Sequence, residues 1–354
     1  MKALLCYNDN DFRIEQVETP TISSKDMLVE VLYCGLCGSD IIKIFDQTLR
    51  KPDIYGHEIV GKVIHVGKDV TKFKVGDFVV AGHHIPCGSC HLCQHGNETM
   101  CEQFKKTNFV PGGFAQYIKL SDKHIENTTF KLPDNFKSKP NILKALFVEP
   151  LACCIRAMDR IETLPSDVFS IAGVGAIGIL FLQLIKLKGL KAVVIDLDSS
   201  RLELAKNLGA DLAINPSDCD PNLKSPVSLK NSISGKIREI FPEGVDSAIL
   251  TVTNKYTIND AISYIRLGGS INIFGMSEKE TMIAVDFEKV YKNELTIKST
   301  YSATPNTLKK AYELIINGKI NVEPLISEIF PLAEFKKGLD MMLNKKIYKA
   351  IFKI

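Results

Sequence analysis

The sequence predicts an α/β chain, with a doubly wound parallel sheet beside a second domain of short strands in an irregular barrel or sandwich. Three observations carry this. From about residue 167, strand-like and helix-like segments alternate. The first 125 residues or so hold short Val- and Ile-rich runs punctuated by Gly and Asp. A glycine-rich turn falls where the first alternating strand gives way to a helix.

In the first part, residues 27–31, 58–66 and 78–81 read as strands, with Gly67-Lys68-Asp69 and Gly76-Asp77 as turn signals between such runs. In the second, 168–172 is a strand, 176–187 a helix, 192–196 a strand and 200–208 a helix. The alternation resumes at 246–252, 256–265 and 270–274. Residues 216–235 are polar and contain proline, which marks a surface excursion rather than a core element. After about 285 the pattern is mixed again, with an amphipathic helix over 306–317. The chain carries no internal repeat and no low-complexity tract.

A length of 354 residues suits two domains, each large enough for its own core. Forty-four basic against 41 acidic residues leave a formal charge of +3, too balanced to point to a nucleic-acid partner. The N-terminus turns polar at Asn8, without the apolar run of a signal peptide. The most apolar stretch, 171–182, is too short to span a bilayer, so a cytoplasmic protein with no membrane partner is expected. Ten cysteines fall below disulfide-scaffold density, yet four lie between Cys87 and Cys101, which points to a metal.

Gly173-Val174-Gly175-Ala176-Ile177-Gly178 fits G-x-G-x-x-G between a predicted strand and a predicted helix, the context a dinucleotide site requires. The first glycine permits the tight turn, the second lets a pyrophosphate approach the backbone, and the third packs helix on strand. Asp196 ends the next strand, where a carboxylate bonds ribose hydroxyls and repels a 2′-phosphate. NAD is therefore expected over NADP. Arg201, five residues on, is placed to cover the adenosine or to lean towards a 2′-phosphate.

Cys87-x2-Cys90-x2-Cys93-x7-Cys101 supplies four thiolates, enough to close a structural zinc site, and leaves His91 and His95 as bystanders. Cys37, His57-Glu58 and Glu149 form a dispersed set. Singly each has a bland explanation: a buried thiol, a turn histidine, a carboxylate before proline. Mixed S, N and O ligands from distant segments suit a catalytic zinc, but spacing alone does not join them.

Cys37-Gly38-Ser39-Asp40, Gly56-His57-Glu58, the four-cysteine lobe, Gly112-Gly113-Phe114-Ala115, Glu149-Pro150-Leu151 and the glycine fingerprint occur in this order. In these runs the sequence resembles the zinc-dependent medium-chain alcohol and polyol dehydrogenases over essentially its whole length. The resemblance implies a GroES-like, mainly-β catalytic domain built from residues 1–152 and 288–354. A Rossmann domain, residues 153–287, would be inserted between them. It implies NAD and two zinc ions per subunit, Cys37, His57 and Glu149 as catalytic zinc ligands, and Glu58 as a ligand in some states. Ser39 takes the substrate proton, and Asp40 orients the zinc-bound histidine. Val174, Ala176, Ile177, Asp196 and Arg201 contact the cofactor, with Phe274, Gly275 and Met276 near the nicotinamide. The partner is a small alcohol or polyol, and the assembly a homodimer or homotetramer, with pairing through 270–274 as the expected edge contact.

Three positions depart from the family pattern. Ile42 stands where many relatives finish the proton relay with histidine. Lys43 and Ser302 stand where sorbitol dehydrogenases carry an aromatic residue and an arginine against the polyol. Lys43 also matches a basic residue of the galactitol-1-phosphate dehydrogenases, which makes it a candidate partner for a substrate phosphate. Alternatives are a threonine-type or simple alcohol dehydrogenase, disfavoured by Glu149-Pro150-Leu151-Ala152, and a catalytically silent relative, disfavoured by the intact ligand set.

Overall fold

The computed structural model describes residues 1–49, 51–219, 232–275 and 282–354. The chain divides into two compact units, Met1–Cys153 with Ser302–Ile354, and Cys154–Tyr301. The return to the first unit therefore falls at 302 rather than at 288. Thr296–Ser299 adds a parallel strand to the sheet of the second unit, in register with Ser270–Ile273, and holds its flanks there. That segment is only four residues long and half-buried, too brief for a periodicity to announce it.

In the first unit, Lys2–Cys6 pairs antiparallel with Phe12–Gln16. A seven-stranded sheet runs in the order Glu328–Pro331, Ala350–Lys353, Met27–Gly35, Glu58–Val66, Phe78–Ala81 and Thr129–Lys131, with Tyr117–Leu120 paired to Met27–Glu30. Strand Met27–Gly35 alternates buried and half-buried positions over most of its length, so Met27, Val29 and Val31 enter the core while Glu30 stays outside it. That core gathers residues from both ends of the chain, Val63 and Phe114 meeting Phe330, Phe335 and Phe352. The C-terminal strand Ala350–Lys353 is thereby fixed beside Tyr33–Gly35, close to the candidate site.

The second unit holds six parallel strands in the order Leu212–Ile214, Lys191–Ile195, Val168–Ala172, Val245–Leu250, Ile265–Ile273 and Thr296–Ser299. Val168–Ala172 is buried at every position, as a central parallel strand covered on both faces should be. The order reverses between this strand and Val245–Leu250, and ligands of doubly wound sheets bind at such a switch point. The expected edge strand 270–274 is internal, because Thr296–Ser299 lies outside it. Residues 216–235 lie mostly outside the described residues. Their two ends are a short turn at Pro216–Asp218 and the start of helix Ile233–Ile240. Among the described residues no helix is long and apolar enough to cross a membrane.

Candidate active site and metal centres

Cys37 is the N-cap of helix Gly38–Phe45, and Asp40, three residues on, accepts from the Cys37 backbone N–H at 3.2 Å. The same carboxylate accepts from Gly56 N at 3.3 Å and faces His57 Nδ1 at 3.2 Å. Gly56 has φ +91°, and a side chain there would press on Cys34 and Phe114. The turn that presents His57 thus requires glycine. Asp40 and His57 are both buried. Burial opposes a charged His57, but the Asp40 carboxylate and the Cys37 sulfur outweigh it and lift the ring well above the usual histidine range. With Nδ1 held by Asp40, Nε2 is the nitrogen left for a metal.

The ligand atoms of Cys37, His57 and Glu58 all lie within 4.8 Å of one another. Glu58 is also gripped from behind, since Lys349 Nζ donates to both its carboxylate oxygens at 2.7 and 2.8 Å. Lys349 is buried, so burial disfavours its charge, yet Glu58, Cys37 and Glu149 together hold its pKa above the ordinary lysine value. Glu149 stands outside the three-ligand group. Its carboxylate accepts from the Cys153 thiol at 3.6 Å, one helical turn on, and burial raises its pKa. The charges of His57, Glu58 and Lys349 act on it, so it borders the cluster. Ser39 is exposed at the first turn of the same helix as Asp40, and Ile42 is exposed beyond it. Cys, His and Glu donors with an oriented histidine fit a catalytic zinc with a position left for substrate.

The four-cysteine lobe converges separately. Cys90 and Cys93 sulfurs are 3.6 Å apart, and those of Cys87 and Cys93 3.9 Å. A tetrahedral zinc with Zn–S bonds of about 2.3 Å separates its sulfurs by about 3.8 Å, so the lobe fits that ion. Backbone N–H groups of Ser89 and Cys90 lower the Cys87 thiol to about 6, which favours the thiolate a metal needs. His95 Nδ1 donates to the His91 carbonyl at 2.8 Å, and the two rings lie tilted against each other at 4.1 Å.

Two histidines that the sequence did not single out lie between these centres. The His83 ring lies tilted against His57, centroids 4.5 Å apart, and against His84 at 3.9 Å, and His84 in turn packs on Phe104 at 4.7 Å. Phe104 belongs to the small core of Cys93 and Cys101. A cavity of about 310 Å³ adjoins His57 and is lined by Asp40, Lys43, His83, Asn108 and Pro111 among others. Lys43 makes no hydrogen bond or ion pair to any described residue.

In the second unit, Gly173 has φ +93°, and a Cβ on Gly178 would lie 2.1 Å from the Gly173 carbonyl oxygen. A Cβ on Gly175 would meet only an Arg201 guanidinium nitrogen, at 3.7 Å. The Gly175 position is thus open, while Gly173 is closed by its positive φ and the Thr251 hydroxyl and Gly178 by the Gly173 backbone. Val174 N donates to Asp196 at 2.6 Å and Asp198 N to its other oxygen at 3.0 Å, which ties the carboxylate to the loop. Arg201 lies 3.8 Å from Asp198. Ala176 and Ile177 form the first turn of helix Ala176–Leu187. Phe274 packs edge-on against Phe181 of that helix, and Phe274 and Gly275 both donate to the Leu250 carbonyl. Met276 lies outside the described residues.

A mainly-β unit with a metal triad and a doubly wound unit with a glycine-rich turn define a metal- and dinucleotide-dependent oxidoreductase. Residues 23–134 match the alcohol dehydrogenase GroES-like domain, and 176–317 match the zinc-binding dehydrogenase domain. The chain is 30% identical to a sorbitol dehydrogenase of Bacillus subtilis strain 168, covering 98% of this chain and 94% of the relative. It is 27% identical to D-arabinitol dehydrogenase 1 of Uromyces fabae, covering 100% and 97%. Its fold matches galactitol-1-phosphate dehydrogenase from Escherichia coli with a TM-score of 0.82 at 24% identity, covering 100% of both chains. The chain belongs to the zinc-dependent alcohol dehydrogenase family, with a GroES-like domain and a Rossmann domain, and is an enzyme of alcohol or polyol oxidation.

Proposed function

We propose that the enzyme oxidises a secondary alcohol or polyol to the ketone with NAD, using one catalytic zinc at Cys37, His57 and a carboxylate, and one structural zinc in the cysteine lobe. The observation that carries this reading is the convergence of Cys37, His57 and Glu58 with Asp40 fixed behind the histidine. A zinc bound there supplies Lewis acidity that stabilises the alkoxide form of the substrate. Asp40 keeps the proton on His57 Nδ1 and so directs Nε2 to the ion. Ser39 would relay the alcohol proton, accepting it while passing its own hydroxyl proton towards solvent, and a dinucleotide held at the glycine turn would supply the hydride acceptor, so that alcohol and NAD balance as ketone, NADH and a proton. Either Glu58 or Glu149 completes the ligand set. Lys349 neutralises Glu58 whenever that carboxylate is off the metal, as the bidentate contact supports. Asp196, beside the glycine turn, supports NAD over NADP.

A phosphorylated polyol is a second reading, favoured by Lys43, a cation on the wall of the cavity beside His57 with no ion-pair partner among the described residues. Family assembly supports a homodimer or homotetramer, and the half-buried strand Thr296–Ser299, outermost in its sheet, is the edge such pairing would use. A panel of secondary alcohols, polyols and polyol phosphates, each with NAD and with NADP, tests the function. NADH formation on a polyol supports it, and turnover with NADP alone contradicts the role of Asp196. Selective loss of the phosphorylated substrates in Lys43→Ala supports the second reading, and equal loss of all substrates contradicts it.

A further inference from the structure

The peptide between Gly173 and Val174 is held at both ends. Its N–H donates to Asp196 Oδ2 at 2.6 Å, and its carbonyl accepts from the Thr251 hydroxyl at 2.9 Å. That hydroxyl also reaches the Ala172 carbonyl at 3.0 Å, but Ala172 is already served by the Thr251 backbone N–H at 3.0 Å. The Gly173 carbonyl has no other donor among the described residues. Gly173 has φ +93°, and a glycine restrains its peptide less than any other residue does, so the plane depends on these two bonds. Thr251 is itself firmly placed. It follows strand Val245–Leu250, whose Leu250 pairs with Ala172, and Gly275 packs so closely that a Cβ there would lie 2.2 Å from the Thr251 carbonyl oxygen. The other oxygen of Asp196 accepts from Asp198 N at 3.0 Å. The two N–H groups thus set the plane of the carboxylate and leave each oxygen a lone pair for a ribose hydroxyl.

We propose that Thr251 is a positioning residue for the dinucleotide: by locking the Gly173–Val174 peptide it aims the Asp196 carboxylate at the adenosine ribose and so sharpens the preference for NAD over NADP. This rests on the reading of Asp196 as the ribose partner given above. Without the hydroxyl, the Gly173 carbonyl loses its partner, the peptide is free to rotate, and the Val174 N–H leaves Asp196. The carboxylate then keeps its charge but loses its direction. Both its bond to the ribose and its repulsion of a 2′-phosphate weaken. Thr251 stands 78 positions after Gly173, so no local motif marks it.

The test reads binding rather than turnover, by fluorescence titration with NADH and with NADPH. Wild type is expected to bind NADH more tightly. Thr251→Val, close in shape but without the hydroxyl, is expected to lose about 3- to 10-fold in NADH affinity with NADPH nearly unchanged, so that the preference falls by the same factor. Thr251→Ser, which keeps the hydroxyl, is expected to retain most of the preference. Thr251→Ala removes the hydroxyl without a branched side chain and should act as Thr251→Val does, which covers a failure of that variant to fold. In the Asp196→Ala background, Thr251→Val should no longer alter the NADH-to-NADPH ratio. A ratio unchanged in both hydroxyl-free variants, equal weakening of the two cofactors, or an undiminished effect in the Asp196→Ala background overturns the proposal alone. A wild type that binds neither cofactor, or shows no preference for NADH, overturns the Asp196 reading and the proposal with it.

Discussion

Lys349 and Glu58, 291 positions apart in sequence, meet in a buried ion pair in which one ammonium spans both carboxylate oxygens. The pair joins Lys349, just before the last strand, to the residue after His57, a candidate metal ligand. It holds a carboxylate within reach of Cys37 and His57 and gives it a buried partner when the metal is elsewhere.

Lys349→Met should therefore destabilise the zinc-free protein by about 3–5 kcal/mol, because Glu58 is left buried and unpaired. Added zinc should narrow the deficit, since the ion supplies the missing positive charge. Melting curves of wild type and variant, with and without chelator, give the comparison. An equal deficit in both states would mean that Glu58 does not approach the metal.

Asp40→Asn keeps the size of the side chain but removes the charge behind His57. Zinc affinity at the Cys37–His57 site should fall by about 10- to 100-fold, while the cysteine lobe keeps its ion. Zinc analysis after dialysis against a competing chelator measures both. Unchanged retention at both sites would contradict the orienting role.

The stack beside the site makes the fold acid-sensitive. Burial lowers His84 to about 4, against about 6.5 for an unfolded histidine. The folded form thus binds its proton later as pH falls. Its contribution is complete above pH 6.5 and is lost progressively between about 6.5 and 4, amounting to about 3 kcal/mol in all. Melting temperature against pH should flatten across this window in His84→Gln. A slope equal to that of wild type would remove His84 from the account.

At the glycine turn, two substitutions should separate. Gly178→Ala places a methyl against the Gly173 carbonyl and should cost about 1–3 kcal/mol of stability while weakening dinucleotide binding. Gly175→Ala meets only the end of Arg201 and should leave stability nearly unchanged, yet still weaken binding where the pyrophosphate approaches the backbone. Thermal unfolding and NADH titration of both variants decide. Equal melting losses would contradict the assigned division.

What could be read before the structure follows the range of the contacts. The cysteine lobe is local, with partners three to fourteen positions apart, and the glycine turn closes Gly178 on Gly173 five positions back, so spacing alone exposes both. Cys37, His57 and the two carboxylates come together through the sheet, and only likeness to known dehydrogenases joined them. Even so, sequence could not say which carboxylate turns inward. Glu58 faces the ligands because it starts a strand paired with Gly35, whereas Glu149 turns to Cys153 along its own helix. Lys349 gave no local signal, since it is a charge near a C-terminal strand, and its place in the site exists only through the carboxylate it touches.

The chemistry proposed for this enzyme is hydride transfer from an alcohol at a zinc held by Cys37 and His57. It is tested most directly by NADH formation from a polyol in wild type, in chelator-treated enzyme restored with zinc, and in Cys37→Ser. The account predicts turnover in wild type, loss on chelation, recovery with zinc, and a loss in Cys37→Ser that zinc does not repair while the cysteine lobe keeps its ion. Turnover that survives both chelation and Cys37→Ser would contradict it.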